Sequence, residues 1–297
     1  MFTIKLSIIG VPTNSSGRRN GVAGAPAALR QAGLLEAVGR FCDAKDEGDV
    51  VFSKPSTVRD DKSGIIAHDS LASMIVAVRN AVAKAMQEGR FPLVIGGDCP
   101  VLLGCLKAND AGLLFVDGHE DAYPAHQSPT GEAADMELGF ALGLYLPRQL
   151  QKAVGPTPLI KTSRTCIMGA RDKTILENTG VKSLDGVVAE FYSDSDLRQA
   201  DIADRTGKVL QRLAAKSGKV WLHVDLDVLS TRAMPAIDYP QRGGLSWKQL
   251  EQLVNAAMSS GRIIGCDVTI YNPDMDPVGR HAKRIVRFIA DTIKSTQ

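Results

Sequence analysis

Asp117-Gly118-His119-Glu120-Asp121 and, about a hundred residues later, Asp225-Leu226-Asp227 decide how this chain reads. Each cluster follows an apolar run: Gly112-Leu113-Leu114-Phe115-Val116 before the first, Lys219-Val220-Trp221-Leu222-His223-Val224 before the second. Runs of this kind read as buried strands, and buried strands rarely end in bare carboxylates without a cation or a catalytic task to hold. Asp117, His119 and Asp121 are spaced i, i+2, i+4, and Asp225 and Asp227 i, i+2. In extended backbone that spacing puts each set on one side of the chain. Five metal-type ligands converging from two strand ends point to a pocket for one or two divalent cations. Carboxylates with imidazole suit Mn²⁺, Fe²⁺, Co²⁺, Ni²⁺ or Zn²⁺. A pair of such sites can hold two ions ~3.5–4 Å apart with a hydroxide between them. The plainer alternative is a set of surface acids and helix caps.

Outward from these clusters, short apolar runs alternate with helical patterns. Strands are expected at Lys5–Gly10, Asp49–Ser53, Phe91–Ile95, Gly112–Val116, Thr165–Gly169, Val187–Tyr192, Lys219–Val224 and Arg262–Val268. Helices are expected at Gly24–Val38, Ser63–Glu88, Pro100–Lys107, Glu132–Leu144, Ser195–Lys216, Trp247–Ser260 and near Gly279–Lys294. The alternation predicts a three-layer α/β/α fold with a mostly parallel sheet of about eight strands, covered on both faces. It reads as one domain over residues 1–297, with Gly155–Pro158 too short to separate two. Ligands of such sheets sit beyond the carboxyl ends of the strands. Both acidic clusters fall there, as does Gly96-Gly97-Asp98-Cys99. The polar loop Asn14–Asn20 after the first strand is a candidate for the mouth of the site.

The 297 residues are 44% hydrophobic and 23% charged, as expected of a globular protein. Thirty-five basic and 33 acidic residues leave a net charge of +2. That balance points to neither nucleic acid nor a membrane surface as partner. No apolar run approaches the ~20 residues of a membrane span, and Met1–Lys5 does not open a signal peptide. The five cysteines include no Cys-x-x-Cys pair, so a reducing, cytoplasmic location is the expectation. A nucleotide-binding alternative fails for want of a Gly-x-Gly-x-x-Gly turn or a Gly-Lys-Ser/Thr loop.

Gly96-Gly97-Asp98, Val116–Asp121 and His223–Leu229 occur in the order of three signatures of the arginase/agmatinase/formiminoglutamase (ureohydrolase) superfamily, which the chain resembles. Asn20–Pro26 with Leu29-Arg30, and Gly243-Gly244-Leu245-Ser246, extend the likeness over nearly the whole length. The resemblance implies an α/β/α fold, divalent cations with Mn²⁺ foremost (Ni²⁺, Zn²⁺ and Co²⁺ as alternatives), and often a homo-oligomer. It implies hydrolysis of a guanidino, amidino or formimino C–N bond by metal-bound hydroxide, held by Asp121. A first ion would take position 99 with Asp117, Asp121 and Asp225, and a second Asp117, His119, Asp225 and Asp227.

Three departures stand against a standard arginase. Cys99 replaces the metal-binding His of the first signature, Ala134 stands where a His often shuttles protons, and Ile270 where a Glu grips the guanidinium. Glu132 and Asp135, beside Ala134, are candidates to accept a substrate cation or a proton, or are helix-start acids favoured by the macrodipole. Cys99 is a ligand or an inert buried thiol. His223 shares a strand face with Asp225 and either supports the cluster or is an ordinary core histidine. The implied reaction is hydrolysis of a small-molecule guanidino compound other than arginine. The alternative is a non-catalytic metal- or ligand-binding relative.

Overall fold

The computed structural model describes residues 4–199 and 201–296. Its strands are β1 (Lys5–Val11), β2 (Asp43–Asp49), β3 (Phe91–Gly96), β4 (Gly112–Val116), β5 (Thr165–Gly169), β6 (Glu190–Ser193), β7 (Val220–Asp225) and β8 (Ile263–Thr269). They form one sheet in the order β2-β1-β3-β8-β7-β4-β5-β6, and every pairing is parallel. The expected α/β/α layering is present. One face packs Leu6, Ile8, Leu93, Leu114, Leu222 and Val268. The other packs Ile9, Val11, Val94, Leu113, Phe115 and Trp221. This alternation along single strands is why the central runs are apolar at every position.

The helices are α1 (Ala25–Gln31), α2 (Leu34–Gly39), α3 (His68–Gln87), α4 (Val101–Lys107), α5 (Glu137–Ala141), α6 (Gln151–Val154), α7 (Lys173–Asn178), α8 (Asp194–Arg198), α9 (Ile202–Ser217), α10 (Trp247–Ser259) and α11 (Arg280–Lys294). The single helix expected over Gly24–Val38 breaks at Gly33, whose φ of 88° is left-handed, a conformation glycine adopts freely. The helix expected over Ser195–Lys216 is α8 and α9, each started by its own cap, Ser193 and Asp201. Ala200 of that stretch lies outside the described residues. The helix from Ser63 starts only at His68.

Two strand expectations shift. Asp49–Ser53 is not a strand, and the pairing segment is the preceding Asp43–Asp49, an edge strand of charged and polar residues. Charge on an edge discourages further pairing, and it also erases the apolar signal by which a strand is read. Val187–Tyr192 contracts to the edge strand β6.

The correction that matters for the site is the helix expected over Glu132–Leu144. A short 3₁₀ turn covers Ala133–Asp135, Met136 leaves helical geometry with φ −135°, and α5 follows. Tertiary hydrogen bonds hold this break: Tyr123 N donates to Asp135 O at 2.9 Å, and Gly139 N to Asp121 O at 3.0 Å. They tie the segment to the first acidic cluster and turn Glu137 inward, where it is fully buried.

Candidate metal centre

The two acidic clusters meet beyond the C-terminal ends of β4 and β7, which are paired neighbours. The convergence is not made by extended chain. β4 ends at Val116 and β7 at Asp225, and both clusters continue as turns. Asp117 Oδ1 accepts from His119 N at 2.7 Å, and Asp225 Oδ1 from Asp227 N at 2.6 Å. Each first aspartate folds the chain over its own side chain, as short acidic residues do in turns. Asp121 adopts φ 43°, a left-handed conformation. Gly118 N donates to Asp227 Oδ1 at 3.0 Å, joining the two turns. A Cβ on Gly118 would lie 2.3 Å from the Arg171 guanidinium, which donates to Asp227 O at 2.6 Å. Only glycine lets that arginine reach the second turn.

Three groups of donor atoms lie here, each with its atoms within 4.8 Å of one another: Cys99, Asp117, His223 and Asp225; Asp117, His119 and Asp227; Asp117, Asp121 and Glu137. Asp117, fully buried, belongs to all three. All six residues expected as metal ligands are therefore in one crevice. Their partition differs from the one the resemblance implied. Asp225 faces Cys99 rather than His119, and Asp121 lies with Glu137. Cys99 Sγ donates to Asp225 Oδ2 at 2.6 Å, and His119 Nδ1 is 2.9 Å from Asp227 Oδ2.

Glu132 and Asp135 sit apart from these groups. Asp135 lines a cavity of about 260 Å³ together with His119, Asp121, Asp225, Asp227 and Ile270. Its Oδ2 accepts from Ser128 Oγ at 2.7 Å and Thr130 Oγ1 at 2.5 Å. Glu132 instead lines an outer cavity of about 500 Å³ with Asn14, Arg18, Asn20 and Asp238, so the Asn14–Asn20 loop does border the mouth. Tyr239 lines both cavities. Burial, with Asp98 nearby, pushes the Glu132 carboxyl up to about 7. Ala134 and Ile270 form wall of the inner cavity. Ile270 has φ 68°, a strained state for a β-branched residue.

The electrostatics of the metal-free crevice are those of crowded acids that resist ionising together. Burial pushes the Asp121, Asp225 and Glu137 carboxyls well above the usual range, and neighbouring carboxylates add to it. Burial does the same to the Cys99 thiol, reinforced by Asp225. Burial opposes charge on His119 and His223 too, but Asp227 and Asp267 hold both rings well above the ordinary imidazole value. Against burial, those two rings hold Asp117 below the usual carboxylate range. Asp117 Oδ2, His223 Nε2 and both Glu137 carboxylate oxygens are buried with no hydrogen-bond partner among the described residues. Orphaned buried donors of this kind need an explanation, and divalent cations fit the donor set.

Three contributors were not readable as such in the sequence. His223 was open between supporting the cluster and an ordinary core role; its ring stacks on Phe115 at 4.6 Å with Nδ1 bonded to Asp267. Asp267 was hidden inside the last strand, and a lone Asp in the apolar run Ile263–Val268 was its only signal. Glu137 carried none, since its burial depends on the break before α5.

An all-parallel sheet that gathers buried carboxylates, imidazoles and a thiol beyond its central strands defines an α/β protein with a metal-binding crevice. Comparison with known proteins identifies which. Residues 4–294 match the model of the Arginase family. The arginase of Brevibacillus brevis is 30% identical over 264 residues, covering 84% of this chain and 86% of that protein. The crystal structure of Bacillus caldovelox arginase superposes with a TM-score of 0.85 at 26% identity, over 98% of each chain. Bacillus cereus arginase superposes with a TM-score of 0.82 at 26% identity, again over 98% of each. The chain belongs to the arginase family. Arginase-family proteins are guanidino hydrolases dependent on a binuclear metal centre, and the buried Asp/His clusters of this chain could hold metal. No helix among the described residues is long and apolar enough to cross a membrane.

Proposed function

We propose that this protein hydrolyses a guanidino, amidino or formimino C–N bond of a small molecule other than arginine. The observation that carries the reading is the inner cavity, lined by Asp121, Asp225, Asp227 and His119 together with Ile270 and Ala134. Cys99, Asp117, His119, Asp121, Asp225 and Asp227 would hold the divalent cations. Bound there, the cations supply Lewis acidity that makes water a nucleophile at neutral pH.

The chain's own residues do the rest. A planar cation entering the cavity meets the carboxylates of Asp121 and Asp135. Asp121 would accept a proton from the attacking water and pass it to the leaving amine. Ile270 offers no carboxylate to clasp a guanidinium from the far side, and Ala134 no imidazole to relay a proton to solvent. These two positions argue against arginine in the pose a Glu and a His would impose. Glu132, with a carboxyl near neutrality, sits in the outer cavity beside Tyr239, where it would receive the substrate's distal end.

The test is release of urea, ammonia or formamide from a panel of guanidino, amidino and formimino compounds, with Mn²⁺, Ni²⁺, Zn²⁺ or Co²⁺ supplied in turn. Turnover of a non-arginine member in a metal-dependent manner is the expected result. Tight binding of a panel member without turnover under any metal would replace this reading with that of a non-catalytic relative.

A further inference from the structure

The pocket formed by Cys99, Asp117, His223 and Asp225 differs in chemistry from the rest of the crevice. Its donors are one thiol, one imidazole and two carboxylates, all buried. His119, Asp227, Asp121 and Glu137 offer only imidazole and oxygen. The four donors of the first pocket come from rigid places: the turn after β3, the end of β4, and two same-face positions of β7.

His223 is prepared as a ligand to a degree an ordinary core histidine is not. Its strand register places it between Phe115 on β4 and Asp267 on β8. The ring lies nearly parallel to Phe115, at 15°. Nδ1 is bonded to Asp267, whose other oxygen accepts from Trp221 Nε1 at 2.6 Å. Nε2 faces Asp117 Oδ2, 3.5 Å away, and becomes a metal donor when its proton leaves. Neither atom has a hydrogen-bond partner among the described residues, and both are fully buried. A carboxylate behind an imidazole is how metal-binding histidines are oriented and made more basic. Two carboxylate oxygens and Nε2 could be served by many cations, but the thiol of Cys99, 2.6 Å from Asp225 Oδ2, narrows the choice.

We propose that Cys99, Asp117, His223 and Asp225 form a thiolate site selective for zinc-class ions over Mn²⁺, with His223 supplying from β7 the imidazole that position 99 lacks. This rests on the metal-dependent reading above and refines it. Sulfur with imidazole favours Zn²⁺ or Co²⁺, whereas an oxygen-rich set favours Mn²⁺. Four protein donors also match the tetrahedral preference of Zn²⁺. On binding, the Cys99 S–H and His223 Nε2–H bonds break, their protons leave to solvent, and the sulfur and nitrogen lone pairs go to the ion, so metal uptake releases protons.

The experiment uses the full chain stripped with chelator and titrated with Zn²⁺, Co²⁺ or Mn²⁺ alone. Co²⁺ should produce a near-ultraviolet thiolate charge-transfer band. C99S should abolish that band while circular dichroism stays that of the wild type. H223Q should weaken Zn²⁺ binding by more than about 100-fold, and D267N, acting through His223, by about 10–100-fold with the band retained. H119N should leave the band in place. Equimolar Mn²⁺ and Zn²⁺ should load one tightly held zinc per chain. A Co²⁺ complex without the band, or C99S binding Zn²⁺ as tightly as wild type, overturns the proposal. Hydrolysis with Mn²⁺ but no thiolate band would sink this site and leave the function standing. The band without hydrolysis of any panel compound would do the reverse.

Discussion

Replacing Glu137 with Met should make the metal-free protein more stable and shrink the stabilisation that metal adds. Glu137 is fully buried at the start of α5. Both of its carboxylate oxygens lack a hydrogen-bond partner among the described residues, and Asp117 and Asp121 face it. A buried polar group left unsatisfied costs about 1–3 kcal/mol. Met has similar volume, fits a helix and carries no group to desolvate. The expected gain in the chelated protein is therefore about 1–3 kcal/mol. At about 2 °C per kcal/mol for a chain of this size, Tm rises by about 2–6 °C. With metal the gain shrinks. A ligand at 100 times its Kd stabilises the native state by about 2.7 kcal/mol, and the variant forfeits whatever share of that affinity Glu137 supplies. The assay is thermal unfolding of both proteins in chelator and in saturating Zn²⁺ or Mn²⁺. If the variant were less stable in chelator, the carboxylate would be satisfied in the metal-free state and the reasoning would be wrong. An equal metal-induced shift in both proteins would remove Glu137 from the metal set.

Three further outcomes are expected. Asp276 accepts from the backbone N–H groups of Arg280, His281 and Ala282 and from Tyr271 Oη. Burial raises its carboxyl, but these bonds outweigh it and hold the group below the usual range. A lowered carboxyl contributes stability above its unfolded value of about 3.9 and loses it as pH falls through the lower folded value. D276A should therefore cost about 1–2 kcal/mol at pH 7, with the gap from wild type closing below about pH 4; an unchanged gap at pH 3 would contradict the capping role. Ala67 holds φ 55° at the start of α3, so A67G should stabilise by about 1 kcal/mol, and a lower Tm would show that the left-handed state is not strained. Ala134 and Ile270 share the inner cavity, so the double variant A134H/I270E should raise urea release from arginine above that of either single variant. No gain in the double would mean that other walls of the cavity exclude arginine.

Much of this protein was legible from its residues. The central strands β3, β4, β5, β7 and β8 fall where apolar runs predict them, because strands buried on both faces are apolar throughout. The edges did not, since β2 is a charged strand at the sheet edge, paired among the described residues with β1. The six residues expected as ligands share one crevice, and residue type at strand ends was enough to nominate them. What one-dimensional spacing could not supply was their pairing. An i, i+2 pattern suggested extended chain, but carboxylates bonding to their own backbone curl both clusters into turns.

By itself the sequence determined the parallel α/β architecture and the family, and it placed candidate acidic and imidazole ligands at the ends of two central strands. Those properties are local: they depend on runs of side chains and on motifs read in order. Only the tertiary structure decided that Cys99 faces Asp225 and His223, that Asp267 orients His223, and that Glu137 turns inward. Each of those contacts joins residues from different strands or from a broken helix. Strand order in the sheet and the register of β4, β7 and β8 set them, and neither is encoded in spacing along the chain.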